Sequence, residues 1–298
     1  MPEPASLEHR QEYVGPQSRE GRGLRDPDGE HRARVRRGPG ASAKDLVIAG
    51  LEPFSSCDWP GRLVATVFLQ GCPWRCTYCH NASIIDPRAP GQIAWDEVLE
   101  TVRRRQGLLD GVVFSGGEPT RQAGLPDALR QVRELGFGVG LHTAGAYPRR
   151  LHDLIELVDW VGLDIKAPEA MYEAITGVAN SARPAFESLR LLLDAGVALQ
   201  VRTTVDPTVL TDDDVAGLRE QLADLGATDY VAQTVRTDGA SPEFVERLAR
   251  YRREAATRPA GPAADASRTD ATELGATRPA QPSSGYVQHP GADATVST

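Results

Sequence analysis

The sequence predicts an α/β fold, a partial (β/α)6 barrel of parallel strands with a disordered tail at each end. Between about residues 45 and 254, short apolar runs alternate about six times with amphipathic segments whose apolar residues recur every three or four positions. This alternation is typical of parallel strands joined by crossover helices. Six units are fewer than the eight of a closed barrel, so an open barrel is expected. A doubly wound open sheet would give the same pattern and stays an alternative.

The individual elements follow from the periodicity of each segment. Strands are expected where short runs of apolar and β-branched residues occur, at 63–70, 111–115, 137–143, 160–165, 197–205 and 230–235. Helices are expected where apolar residues recur every three or four positions, at 95–106, 125–135, 149–158, 185–195 and 212–226. Unusual polar and glycine-rich motifs lie at or just beyond the ends of the strands, where α/β proteins build their sites.

Both ends of the chain differ in composition from this middle region. Residues 1–44 are rich in Arg, Glu and Gly, and residues 255–298 are mainly Ala, Pro, Thr, Asp and Ser. Such segments bury too little apolar surface to fold, so we expect two disordered tails around one domain at 45–254. The formal net charge of −8 argues against a nucleic-acid-binding protein, which requires a basic face.

The expected location is the cytoplasm. No uninterrupted apolar stretch approaches the roughly 18 residues of a membrane helix, and the first residues lack the apolar core of a signal peptide. Cytoplasmic thiols stay reduced, so clustered cysteines are interpreted as metal ligands or catalytic groups before they are interpreted as disulfides.

Three of the four cysteines, Cys72, Cys76 and Cys79, lie within GCPWRCTYCHN at 71–81. A zinc site would need a fourth ligand such as His80, although structural zinc sites usually take their ligands as two spaced pairs. The stretch CTYCH also matches the attachment motif of c-type haem, which requires export. A [4Fe–4S] cluster held by three thiolates would keep one iron open for chemistry. From the residues alone, all three interpretations stay open.

As a set, the motifs resemble those of the radical S-adenosylmethionine (SAM) superfamily, and within it the glycyl-radical-enzyme activases. The nearest resemblance is to the activating proteins of anaerobic ribonucleoside-triphosphate reductase, and it spans roughly residues 48–240. It lies in five motifs, DWPG (58–61), QGCPWRCTYCHN (70–81), FSGGEPT (114–120), LDIKAP (163–168) and VRTTV (201–205). The fold that this resemblance implies is the partial (β/α)6 radical SAM barrel.

The resemblance also implies a set of site residues. Cys72, Cys76 and Cys79 would hold a [4Fe–4S] cluster, and SAM would bind its open iron. The implied SAM contacts are Tyr78, Ser115, Gly116, Gly117, Glu118, Asp164, Lys166 and Arg202. In this interpretation Glu118 receives the ammonium group of SAM, since a carboxylate is a good acceptor, and Lys166 faces its carboxylate.

Each of these contacts also has an ordinary structural explanation. Gly116 and Gly117 would suit a plain strand-to-helix turn, and Tyr78 would suit an ordinary loop. Lys166, one of only two lysines in the chain, would also fit a salt bridge at a strand end. Arg202 lies in an apolar strand, where a buried guanidinium needs a partner whether or not a ligand binds. The neighbouring cysteine motif favours the SAM interpretation.

Four further residues complete the predictions. Asp58 matches a position that faces the substrate glycine in related activases and is the candidate catalytic residue. His142, in HTAG, stands where related activases tend to carry Asp, so a monovalent-cation site there is in question, because imidazole cannot supply the charge. Cys57 is interpreted as a spare, partly buried thiol. His80 is expected to form a hydrogen bond rather than to bind iron.

The resemblance implies an activase that cleaves SAM reductively and generates a glycyl radical on a partner enzyme, foremost the anaerobic ribonucleotide reductase. Electrons would come from a flavodoxin- or ferredoxin-type donor. Three alternatives stay open. They are activation of another glycyl-radical enzyme such as pyruvate formate-lyase, a small-molecule radical SAM reaction like that of deazapurine carboxylate synthase, and a non-catalytic metal-binding protein.

Overall fold

Seven strands form one open sheet in the computed structural model, which describes residues 40–257. In chain order they are β1 (Ile48–Ser55), β2 (Val64–Leu69), β3 (Gly111–Gly116), β4 (Gly138–Thr143), β5 (Trp160–Asp164), β6 (Ala198–Val205) and β7 (Tyr230–Thr234). Strand β1 runs antiparallel to β2, and the five neighbouring pairs from β2 to β7 are parallel. Strands β1 and β7 are the two edges, so the sheet does not close into a full barrel.

Helices follow the parallel strands, as the alternation predicts. Within the described residues they are α1 (Trp95–Arg103), α2 (Leu125–Glu134), α3 (Pro148–His152), α4 (Tyr172–Thr176), α5 (Ala182–Ala195), α6 (Asp212–Asp224) and α7 (Pro242–Thr257). Local signals mark some of their ends. Helix α6 begins at a capping box formed by Thr211 and Asp214, and α5 ends at Gly196 in the left-handed conformation.

The strand order decides between a barrel and a doubly wound sheet. Each parallel strand lies beside the strand that precedes it in the chain, without a reversal of order. A doubly wound sheet requires such a reversal, whereas winding in one direction places the crossover helices on one face of the sheet. Strand residues such as Val112 and Phe114 pack in the main core with helix residues such as Val98 and Leu129. The predicted partial barrel is therefore confirmed.

Strand β1 is an addition that the sequence pattern did not reveal. Its sequence, IAGLEPFS, contains a glycine and a proline and has no clear alternation of polar and apolar residues. The pairing with β2 is irregular between Ile48 and Gly50 and again between Glu52 and Ser55. Gly and Pro are tolerated in an edge strand with such irregularities, although they argue against a regular strand when only the sequence is read.

The predicted helix at 149–158 is interrupted in the structure. Helix α3 ends at His152, and a separate 3-10 turn covers Ile155–Leu157. Leu151 and Leu154 are nevertheless both buried. The apolar spacing that predicted one helix is thus satisfied by a short helix followed by a turn.

Trp59 fills the lower part of the barrel interior. Its ring stacks on Trp160 with 5.6 Å between ring centroids. A methyl group added to Gly111, Gly138 or Gly140 would lie 3.0 to 3.3 Å from the nearest atom of the Trp59 ring. These strand glycines therefore make room for one large side chain, which leaves the cluster-loop end of the barrel as the open end.

Most of both predicted tails, 1–44 and 255–298, lies outside the described residues. The described part of the first tail includes a short 3-10 turn at Ala43–Asp45, with Ser42 as its cap and Ala43 fully buried. Within residues 40–257, no helix has the length and apolar character needed to cross a bilayer.

Candidate cluster and cofactor site

The cluster loop, residues 71–81, follows β2 and is fixed by main-chain hydrogen bonds. Gly71 has a positive φ of 94°, and its amide donates to the carbonyl oxygen of Ile84 at 2.8 Å. The amides of Arg75 and Thr77 each donate at 2.9 Å to carbonyl oxygens at the end of α4. The protein's own main chain thus holds the loop at its start and in its middle.

The three thiols of the loop are neighbours in a partly buried space. Cys72, Cys76 and Cys79 interact electrostatically with one another, and burial raises the pKa of Cys72 to about 12 and that of Cys76 to about 11. Burial raises the pKa of Cys79 as well. Within residues 40–257, no three His, Cys, Asp or Glu side chains converge on one ion-sized site. Ligands of a cluster bind separate irons, and binding must displace the thiol protons.

An inner cavity lies between the cluster loop and the carboxyl ends of the strands. The three cysteines line it together with seven predicted SAM contacts, Tyr78, Ser115, Gly116, Gly117, Asp164, Lys166 and Arg202. Two further atoms in the lining residues, the hydroxyl of Tyr78 and Oδ1 of Asn81, are buried and lack a hydrogen-bond partner within the described residues. Buried polar atoms are normally paired, so these two fit a ligand with polar groups.

Lys166 and Arg202 share the carboxylate of Asp164 at one end of the inner cavity. Lys166 Nζ lies 3.0 Å from Oδ2, and Arg202 Nη2 lies 2.9 Å from Oδ1. Burial alone would raise the pKa of Asp164, but the two cations hold it well below its usual range. Two cations against one anion leave a surplus positive charge, which suits a ligand carboxylate.

His142 on β4 connects this charged group to Asp58. Its Nε2 atom lies 2.7 Å from the carbonyl oxygen of Asp58 and 3.2 Å from Arg202 Nη1, and its Nδ1 atom lies 3.3 Å from the hydroxyl of Ser115. A carbonyl oxygen can only accept, so Nε2 carries the proton and Nδ1 accepts from Ser115. Burial and the adjacent guanidinium lower the pKa of His142 to about 4. The ring is therefore neutral and supplies no negative charge to a monovalent-cation site at this position.

Lowering the pH from 7.5 to 5.5 is therefore expected to reduce the free energy of unfolding by about 1 kcal/mol through His142. The unfolded imidazole gains a proton near its usual pKa of about 6.5. The folded ring, which faces Asp58, Asp164 and Arg202, gains one only near 4. The stabilisation is complete above about pH 6.5 and is lost as the pH falls toward 4.

The measurement is denaturant unfolding of the wild type and of His142→Gln across this pH range. The variant keeps a donor for the Asp58 carbonyl but does not titrate, so its free energy of unfolding should fall about 1 kcal/mol less than that of the wild type. Equal pH dependence in the two proteins would contradict the assignment of a neutral ring.

The Glu118 side chain does not line the inner cavity, and its expected contact with an ammonium group stays a prediction. The residue is fully buried. Oε1 accepts from the amide and hydroxyl of Thr120 and from the hydroxyl of Thr143, and Oε2 accepts from the amide of Ala144. Because these bonds join Thr120 to Thr143 and Ala144, we propose Glu118 as a positioning residue that ties the turn after β3 to the turn after β4.

The Gly116-Gly117 turn packs against the main chain of the cluster loop and of β2. A methyl group on Gly117 would lie 2.6 Å from the carbonyl carbon of Gly71 and closer still to its oxygen. On Gly116, which has a φ of 114°, it would lie 2.9 Å from the carbonyl carbon of Phe68 and closer still to Leu69. The two glycines line the inner cavity, but close approach to the protein's own backbone is what excludes a side chain here.

Asp58 and Cys57 lie outside the lining of the inner cavity. The Asp58 carboxylate accepts a hydrogen bond from Thr66 at 2.7 Å, so its link to the cavity runs through His142. Its catalytic role stays a prediction. Cys57 is exposed, with its sulfur 3.4 Å from the hydroxyl of Ser55, and the expectation of partial burial was wrong. The segment that carries it connects the edge strand β1 to β2, where little covers the side chain.

Several lining residues were not singled out from the sequence. Trp74, Ala144 and Thr204 all line the inner cavity. Thr204 follows Arg202 by two positions on β6 and therefore shares its face, so the alternation of side chains along a strand could have identified it. His80 makes its contacts with the main chain of Arg236, which joins the cluster loop to the segment after β7.

The chain matches the Radical SAM superfamily over residues 66–220, which is more than half of its length. It is 27% identical over 209 residues to a Methanocaldococcus jannaschii protein assigned as a glycyl-radical enzyme activating enzyme, covering 68% of this chain and 85% of the relative. It is 33% identical over 171 residues to the pyruvate formate-lyase-activating enzyme of Clostridium pasteurianum, covering 55% and 70%.

A third relative is the pyruvate formate-lyase 1-activating enzyme of Escherichia coli (strain K12), which is 30% identical over 198 residues, covering 62% of this chain and 79% of the relative. The matched region contains the cluster loop and the three strands that carry the charged group and His142. Members of the matched family use a [4Fe–4S] cluster and SAM, and the thiols and polar cavity described above fit that pair. The chain belongs to the radical SAM superfamily, in its group of glycyl-radical-enzyme activases.

Proposed function

We propose that this activase generates the glycyl radical of an anaerobic ribonucleoside-triphosphate reductase. The observation that carries the proposal is that the three thiols of the cluster loop and the Lys166–Asp164–Arg202 group line one cavity. The choice of partner rests on the five sequence motifs, above all the continuation of the cysteine motif as CHN at 79–81.

In this proposal each lining residue has a separate task. Cys72, Cys76 and Cys79 hold three irons of the cluster. Lys166 and Arg202 bind the SAM carboxylate, and a charge-assisted hydrogen bond of this kind contributes about 1.5 to 3 kcal/mol. When bound, the cluster and SAM would supply a one-electron reductive cleavage of SAM, and this chemistry would allow a hydrogen atom to be taken from the partner's glycine.

The protein's own contribution is to order the ligands and to keep water from them. Tyr78 is a buried residue of the cluster loop, and its ring centroid lies 6.0 Å from Lys166 Nζ. It therefore shields the charged group from solvent on the side of the loop. Glu118 holds the turns after β3 and β4 together, so the cavity wall is set before SAM enters.

The open side of the barrel suits a protein substrate. The last residues of β7, Gln233 and Thr234, are exposed although they belong to the sheet. Trp59 blocks the lower interior, so a loop that carries the substrate glycine would have to enter from the side of the cluster loop. We retain Asp58 as the candidate contact for this glycine. Its main-chain carbonyl oxygen is hydrogen-bonded to His142, which lines the inner cavity.

The test is a glycyl-radical electron paramagnetic resonance doublet. The anaerobically reconstituted protein is reduced, supplied with SAM, and mixed with a ribonucleotide reductase of the glycyl-radical class. A doublet should form and should be missing when the reductase carries Gly→Ala at its radical position. If wild-type protein cleaves SAM and forms no doublet on this partner, the partner proposal is wrong.

A second candidate partner is pyruvate formate-lyase, because two of the relatives named above activate that enzyme. The same experiment separates the two, with pyruvate formate-lyase in a parallel sample. A doublet on pyruvate formate-lyase alone would establish the second candidate in place of the first. SAM cleavage without a glycyl-radical doublet on either protein would favour a small-molecule substrate.

A further inference from the structure

The cluster loop separates two cavities, of which the inner one has been described. An outer groove lies on the other side of the loop and is open to solvent. Apart from Ile85, the residues that line both spaces are Cys72, Cys76 and Cys79. A cluster held by these thiols would thus lie between the SAM cavity and the outer groove.

The loop residues between the cysteines alternate between the two spaces. Trp74 and Tyr78 line the inner cavity, whereas Arg75 and Thr77 line the outer groove. The inner side is therefore aromatic and suited to a bound small molecule. The outer side is polar and faces solvent, so it is the side from which another protein can approach the cluster.

Guanidinium groups dominate the outer groove. Arg75, Arg88 and Arg247 line it, and its carboxylate is that of Asp86. Arg88 is paired with Asp86 at 3.2 Å, and both side chains are exposed. Arg247 is paired at 3.1 Å with the fully buried Asp206, so this pair is close to neutral as well.

The Arg75 side chain is exposed and forms no ion pair within residues 40–257. The groove thus has a surplus of positive charge, which comes from Arg75, although the whole chain has a formal net charge of −8. A cationic patch on an acidic protein attracts acidic partners and steers their approach.

We propose that the outer groove is the docking surface for a small acidic electron-carrier protein. The proposal rests on the proposed function, which needs one electron for each SAM cleaved. On docking, the carrier is oxidised by one electron and the cluster is reduced by one, and no atom is transferred. Electron transfer weakens steeply with distance, and this face gives a carrier its direct approach while SAM fills the inner cavity.

The test compares binding of an acidic flavodoxin to the cluster-loaded protein, the Arg75→Glu/Arg88→Glu double variant and a control, Arg103→Glu/Arg104→Glu. Arg103 and Arg104 are exposed residues at the carboxyl end of α1 and do not line the groove, so the control carries the same change of net charge at another place. Binding is measured by calorimetry at low ionic strength. The double variant should bind about tenfold or more weakly than the wild type, the control should stay near it, and the difference should shrink at high salt.

A second readout separates docking from chemistry. SAM cleavage driven by dithionite, which needs no docking surface, should be the same in the wild type and the double variant, whereas flavodoxin-driven cleavage should require more flavodoxin. Equal flavodoxin binding by the wild type and the double variant overturns the proposal, and so does an equal loss in both cleavage assays. If the wild type cleaves no SAM with dithionite, the proposed function fails, while the binding comparison still decides for or against the docking surface.

Discussion

Cys76→Ala is expected to abolish both cluster assembly and SAM cleavage. The residue lines the inner cavity and the outer groove, so its thiolate lies at the centre of the proposed cluster site. Two remaining thiols would leave two irons without protein ligands. The Nε2 atom of His80 contacts the main chain of Arg236 instead of supplying a replacement ligand. Iron and sulfide content after anaerobic reconstitution, together with methionine formation on reduction, measure the effect.

The matched control is Cys57→Ala. Cys57 lies between β1 and β2, is exposed, and lines neither the inner cavity nor the outer groove. Its replacement should leave iron content and SAM cleavage at wild-type levels. Normal iron content in Cys76→Ala, or loss of the cluster in Cys57→Ala, would refute three-thiol ligation by the loop.

Gly117→Ala should destabilise the protein by about 1 to 3 kcal/mol and lower its cluster content. The added methyl group would lie 2.6 Å from the carbonyl carbon of Gly71 and 3.1 Å from the amide nitrogen of Cys72. These are main-chain atoms that no side-chain rotation can move away. The cluster loop would have to shift as a whole, and Cys72 would move with it.

Gly217→Ala provides the comparison for this change. Gly217 lies within α6, has ordinary helical geometry, and has open space where the new methyl group would lie. Alanine is favoured over glycine in a helix by about 1 kcal/mol, so this variant should be as stable as the wild type or more stable. Urea unfolding of the two variants makes the comparison. Equal stability in both would show that the turn and the cluster loop are less tightly packed than the structure indicates.

The repeating part of the fold could be predicted from the sequence because each parallel strand and helix carries its own periodicity. All six predicted strands are present, within a few residues of their expected bounds. Strand β1 could not be predicted, since its Gly50 and Pro53 break the local pattern and its pairing depends on β2. The choice of a barrel also depended on strand order, which is a property of long-range pairing and leaves no local signal.

The candidate site also combines features that are local in the chain with features that depend on long-range pairing. The spacing of Cys72, Cys76 and Cys79 placed three soft ligands on one short loop, which is a local property of the chain. Lys166 lies two residues from Asp164, but Arg202 lies more than thirty residues away, so its contact with the same carboxylate follows only from the neighbouring positions of β5 and β6. The chemical type of a side chain is readable in the sequence, whereas its partner is not.

Glu118 illustrates the limit most clearly. Its motif indicated a carboxylate beside a ligand, and only the structure shows the four protein donors that bind it. By itself, the sequence determined the alternating architecture, the three-thiol loop and the residue types around it. Only the tertiary structure decided which groups reach the inner cavity, because burial and hydrogen bonding are set by segments that are far apart in the chain and meet only when it folds.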